Sequence, residues 1–111
     1  VTLGGDVHRF VAADLRAVPN DPGSTIVASE FVGGSVTSRG ASQASMARMR
    51  QGNPGIAHAR GDERGYALLE IDRDAARCEF RATAHPAAEG ARLARQALFV
   101  VESGQAGVVA G

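Results

Sequence analysis

The sequence has no lysine and no tryptophan, a single cysteine, and no apolar run long enough to cross a bilayer as a helix. Cys78 stands alone, so no internal disulfide can form, and cysteine usage says nothing about redox compartment. All basic residues are arginine, and the twelve of them balance twelve acidic residues. That balance argues against a strong footprint for nucleic acid or an anionic membrane. No nucleic-acid-binding surface and no transmembrane segment are evident. With four Phe and one Tyr, the expected core is built mainly from Val, Ala, Leu and Ile.

What remains is a chain of 111 residues, 44% of them hydrophobic, which bounds it to one small globular domain. It opens on Val1-Thr2-Leu3, already inside a strand-like run, and so reads as a piece of something longer. Gly4 and Gly5 follow, then Asp6 and His8. In extended backbone, side chains two apart share a face, so Asp6 and His8 are expected to project together. A carboxylate oxygen beside an imidazole nitrogen suits a hard or borderline cation. The competing reading is a solvated strand end, and the triplet alone does not decide between them.

Arg9–Arg16 mixes helix and strand formers. It is taken as strand because Pro19–Ser24 is a strong loop and a second β-rich run, Thr25–Val32, follows. Ser35–Gly40 leaves as a hydroxyl-rich loop. A helix is expected from Ser42, as N-cap, to Gln51, with Met46 and Met49 on its buried face and Gly52-Asn53-Pro54 as its stop. Gly55–Arg60 is a short extended piece. The clearest hairpin runs Gly65–Ile71, turns at Asp72–Ala75 and returns through Arg77–Thr83. On its return strand Cys78, Phe80 and Ala82 face one way, and Arg77, Glu79 and Arg81 the other. Ala91–Gln96 is assigned a turn of helix, Ala97–Glu102 a last strand, and 103–111 a flexible tail. The count is about six strands and one helix.

Several stretches, in order, resemble one family, the PhoD-like alkaline phosphatases/phosphodiesterases of the metallophosphoesterase superfamily. Gly5-Asp6-Val7-His8 resembles its late G-D-V-H segment. Ser29 through Gly40 resembles its E-F-V-G-x-S-(I/V)-T-S-x-G signature. Asn53-Pro54, Arg64-Gly65-Tyr66, the hairpin to Phe80-Arg81, and Phe99–Gly104 resemble its next blocks. The family's upstream G-D-Y and D-D-H-E-x-x-N-D metal blocks have no counterpart here. Gly55 stands where the family usually has His after Asn-Pro.

The resemblance implies an α/β metallophosphoesterase sandwich. Residues 1–111 would be a single partial domain, its C-terminal, mainly antiparallel β part with one short helix. It further implies hydrolysis of phosphate mono- or diesters, a secreted or periplasmic location, and bound divalent or trivalent metal ions, calcium and iron in the family. A phosphate ester and the missing N-terminal part of the same enzyme would be the partners. Asp6 and His8 would be metal ligands, although two ligands cannot complete a site; the isolated chain is therefore expected to be inactive. Ser35, Thr37, Ser38 and Arg39 are the candidate substrate-binding residues, against the favoured alternative of a loop satisfied by its own hydroxyls. Glu30 reads as structural, paired with an arginine. His58 and His85 read as exposed or capping, Arg64 and Tyr66 as packing the hairpin, and Cys78 as a small core residue. The rival readings are a stand-alone β-rich binding or structural module, and a degenerate relative that keeps the fold without the chemistry.

Overall fold

The computed structural model describes every residue, Val1–Gly111. Its elements are β1 (Thr2–Gly4), β2 (Phe10–Arg16), β3 (Ile26–Val32), α1 (Gln43–Gly52), β4 (Ile56–Arg60), β5 (Glu63–Ile71), β6 (Ala75–Ala84), β7 (Ala94–Glu102) and β8 (Val109–Ala110). They form two four-stranded sheets, ordered β1-β3-β2-β4 and β5-β6-β7-β8. The second sheet is antiparallel throughout. In the first, only β1 and β3 run parallel.

The ambiguous stretch after His8 is β2, inner strand of the first sheet. Phe10 and Ala12 face the second sheet, while Val11 and Ala13 face α1. A strand covered on both faces reads as a continuous apolar run, which is why its period is unclear in sequence. Helix α1 begins on the expected cap, with the Ser45 amide donating to Ser42 Oγ at 3.1 Å. It buries Met46 on the outer face of the sheet, with Met49 beside it.

The two sheets close on Phe10, Ala12 and Phe31 from one side and Cys78, Phe80, Ala82 and Phe99 from the other. Phe80 is the hub, with its ring centroid 5.3 Å from Phe10, 6.5 Å from Phe31 and 6.2 Å from Phe99. The expected core of Val, Ala, Leu and Ile is thus corrected. All four Phe rings are buried there, and alanines rather than branched residues fill the positions between them. Small side chains leave the room that the rings occupy. Alternation on β6 is as expected, with Cys78, Phe80 and Ala82 buried and Arg77, Glu79 and Arg81 on the wet face. Outside, Glu79 accepts from Arg81 at 2.6 Å and from Arg95 at 2.8 Å.

Two further expectations change. Ala94–Gln96 is strand rather than helical turn. Tertiary partners outweigh the weak helix preference there: Arg95 reaches Glu79, and Gln96 donates to Glu63 at 2.6 Å. Nor is 103–111 a free tail. Val109–Ala110 pairs with β7, and the Val108 amide donates to Asp14 Oδ1 at 2.8 Å, tying the second sheet's last strand to the first sheet.

Candidate metal-binding end of the first sheet

Because β1 and β3 are parallel neighbours, their C-terminal ends lie side by side, with Gly4 opposite Val32. The loops that follow them, 5–9 and 33–42, therefore leave the sheet together. Antiparallel β4 ends at the same place, Arg60 opposite Phe10, which brings 61–63 there too. Ligand sites in open sheets form outside the carboxyl ends of strands, where loops of this kind gather.

Asp6 and His8 are both in this cluster, but not in extended backbone. Their φ values are +70° and +54°, in the left-handed region. The Val7 amide donates to the Gly5 carbonyl at 2.9 Å, which makes Asp6 the centre of a tight γ-type turn. Strand alternation ends at Gly4, so the expectation that it aligns these two side chains is replaced by a turn that aims each separately. Such positions cost of order 1–3 kcal/mol each and persist where the surroundings over-determine them.

His8 Nδ1 lies 3.2 Å from the Arg39 carbonyl oxygen. A carbonyl only accepts, so Nδ1 carries the proton, and in the neutral ring Nε2 keeps its lone pair. Histidines that ligate metals are set this way, one nitrogen donating to a backbone carbonyl and the other left for the ion. Asp6 is exposed, in the same loop. The donor chemistry therefore fits part of a metal shell. It does not fit a whole one, because nowhere do three or more His, Cys, Asp or Glu side chains converge, and zinc asks for at least three protein ligands.

The hydroxyl-rich loop borders His8 through that same Arg39 carbonyl. Ser35 Oγ is used internally, accepting from the Ser38 amide at 2.7 Å and donating to the Ser38 carbonyl at 2.9 Å. Thr37, Ser38 and Arg39 are exposed.

Residues 1–80 match the family model described as PhoD-like phosphatase. The chain belongs to the PhoD-like phosphatase family. It is also similar to a solved structure titled "Structure of PhoD", with a TM-score of 0.80 and 25% identity. That match covers 99% of this chain and 22% of the other, so this chain spans about a fifth of the length of that PhoD. No curated protein matches it.

A cleft of about 590 Å³ runs along the outer face of the first sheet, from Gly4, Gly5 and Arg9 past Glu30 to Gly55 and Ile56. Glu30 forms no ion pair, contrary to expectation, and instead lines this cleft beside apolar Val11, Ala13 and Val32. Gly55, where PhoD-like sequences usually carry His, is pressed onto β2: the Asp14 amide donates to its carbonyl at 2.8 Å. A β-carbon at 55 would overlap the Asp14 carbonyl oxygen, so this backbone has no room for a side chain.

His58 is not the exposed residue expected. It stacks on Phe80 at 5.6 Å and donates from Nε2 to Gln96 Oε1 at 2.9 Å, so it belongs to the contact between the sheets. Burial, more than any neighbouring charge, lowers its pKa. His85 is exposed as expected. Cys78 is fully buried, and burial raises its thiol to about 11, which leaves it inert. Arg64 is the residue whose importance sequence reasoning understated. It is 3% exposed and has no carboxylate partner. Its Nη1 donates to the Gly61 and Glu63 carbonyls, and its Nε is unpartnered. No pattern in the sequence marks an arginine as buried.

Proposed function

We propose that this chain is the C-terminal part of a metal-dependent phosphoesterase that hydrolyses phosphate mono- or diesters, and that it contributes Asp6 and His8 to the metal shell. The observation that carries this is the pairing of His8 Nδ1 with the Arg39 carbonyl, which leaves Nε2 as an available base in the loop that holds Asp6. Family membership supports phosphatase chemistry; the metals (calcium and iron in the family), the ester and a secreted or periplasmic location belong to the proposal. The remaining ligands, and the rest of an α/β sandwich, would come from the portion of the enzyme that corresponds to the rest of PhoD.

Within that site, His8 would present a neutral imidazole nitrogen and Asp6 an anionic oxygen, each aimed by its turn. When bound, the metal ions would polarise the phosphoryl oxygen and supply an oxygen nucleophile at neutral pH. The exposed guanidinium of Arg39, with the Thr37 and Ser38 hydroxyls, would orient the ester oxygens at the rim. Ser35 would act indirectly, holding the turn from which Thr37 and Ser38 project.

A segment exchange tests this. The corresponding part of PhoD is replaced by this chain, and the hybrid is assayed on chromogenic phosphate mono- and diesters. Activity is expected, with Asp6→Asn and His8→Ala each lowering kcat by at least about 100-fold, since loss of an outer-shell partner already costs 10–100-fold. Full activity in both variants would remove the ligand assignment. The 111-residue chain alone should stay at the metal-only blank. A degenerate relative, the reading favoured by Gly55, predicts a folded hybrid with no turnover.

A further inference from the structure

His8 owes its orientation to a carbonyl one residue before Gly40, and Gly40 has no free space around it. A β-carbon there would overlap the Gly61 carbonyl oxygen and come within 2.5 Å of the His8 carbonyl oxygen and 3.1 Å of Arg64 Nη1. The backbone at 40 is therefore packed between the His8 loop and the segment entering β5. Arg64 holds that segment by donating from Nη1 to both the Gly61 and Glu63 carbonyls. The next amide, Gly65, donates to the Ser35 carbonyl at 3.0 Å, pinning the other end of the hydroxyl-rich loop. A buried arginine with no carboxylate in direct contact is costly, and here Nη1 alone donates, to two backbone carbonyls that shape one loop junction.

We propose that Gly40 and Arg64 are positioning residues for His8: together they place the Arg39 carbonyl against Nδ1, and so select the tautomer whose Nε2 is free. The proposal rests on the reading of His8 as a ligand for its purpose, but not for its geometry. Gly40 acts by letting three backbone segments approach. Arg64 acts by fixing the turn at Gly61 against which Gly40 rests. Neither touches substrate or metal.

The test is a long-range proton–nitrogen NMR spectrum of the 111-residue chain labelled with ¹⁵N, at a pH where its histidines are neutral. His8 should show the Nδ1–H pattern, and His58 the Nε2–H pattern that its bond to Gln96 demands. Gly40→Ala and Arg64→Met should move His8 toward the Nε2–H form or a mixture, while His58 stays as it was. Arg64→Lys should keep His8 unchanged, because one ammonium can donate to both carbonyls. An unchanged His8 in both Gly40→Ala and Arg64→Met overturns the proposal. So does a joint change at His8 and His58, which would mean general loss of structure. The PhoD hybrid separates the two ideas. Full turnover in its His8→Ala variant removes the ligand reading and leaves the positioning result on the 111-residue chain intact.

Discussion

The interface between the sheets and the loop end of the first sheet meet at Phe10, yet they solve opposite problems. At the interface, regular strands bring four rings and small alanines together, and the one imidazole there is hydrogen-bonded into a chain from His58 through Gln96 to Glu63. At the loop end, two non-glycine residues sit at positive φ, a carboxylate stands exposed, and a buried guanidinium keeps an unpartnered nitrogen. The difference separates tasks. Packing is regular at the interface, whereas the loop end carries non-glycine residues at positive φ and an unpartnered buried nitrogen, features shared only by Asn20 and Arg16 elsewhere, and is held by glycine contacts and backbone carbonyls.

The largest test of that division is Phe80→Ala. Removing the hub of the ring cluster should cost about 3–5 kcal/mol, much of what a domain of this size has. Urea unfolding followed by circular dichroism measures it. A loss under ~1 kcal/mol would mean that the interface is not the anchor. Gly55→Ala is the next step down. The added methyl meets the Asp14 carbonyl on β2, and forcing the strands apart should cost about 1–3 kcal/mol. A neutral result would show that the β2–β4 pairing yields more readily than the ring cluster.

How much of this was legible in sequence depends on how local the cause is. The hairpin was legible because its signals are local. Asp72 Oδ1 accepts from the Asp74 and Ala75 amides, so one side chain builds the turn, and β6 alternates around it. Helix α1 is legible through its Ser42 cap and the Asn53-Pro54 that follows it, although Gly52 is its last residue rather than its stop. The strand at Ala94–Gln96 and the docking of Val108–Ala110 were not, because partners distant in the chain decide them. The family resemblance names Asp6 and His8 as candidates, but their turn conformation is not legible in sequence. Strand alternation predicts one face through Gly5, but the backbone turns there. Arg64 is expected only to pack the hairpin, because its burial, like the close approach at Gly40, is a property of the assembled fold.

Asp6→Gly sharpens the comparison from the side of strain. Glycine takes φ near +70° without the penalty that aspartate bears. The variant should therefore gain about 1 kcal/mol in urea unfolding, in the direction opposite to the core variants. In the PhoD hybrid the same change should abolish turnover, because the carboxylate is gone. A more stable but inactive variant is the expected signature of a strained functional position. A destabilised one would show that the Asp6 side chain holds the turn together.

The smallest expected effect lies at the other region and is read through pH. His58 is held below its ordinary value of 6.5, chiefly by burial, with Arg60 and Arg50 adding to the effect and the Gln96 hydrogen bond and Glu63 opposing it. A histidine with a depressed pKa binds its proton more readily in the unfolded chain, so the unfolded state carries more protons below pH 6.5 and stability falls as pH falls. The contribution is intact above the unfolded value, declines through the interval below it, and is fully lost once pH is under the folded value. Unfolding free energy measured between pH 7.5 and about 5, before the carboxylates titrate, should therefore slope upward with pH. His58→Phe keeps a ring against Phe80 but removes the titrating nitrogen, so its absolute stability drops while this slope flattens. An equal slope in both proteins would assign the acid sensitivity to a group other than the ring that packs on Phe80 and Phe99.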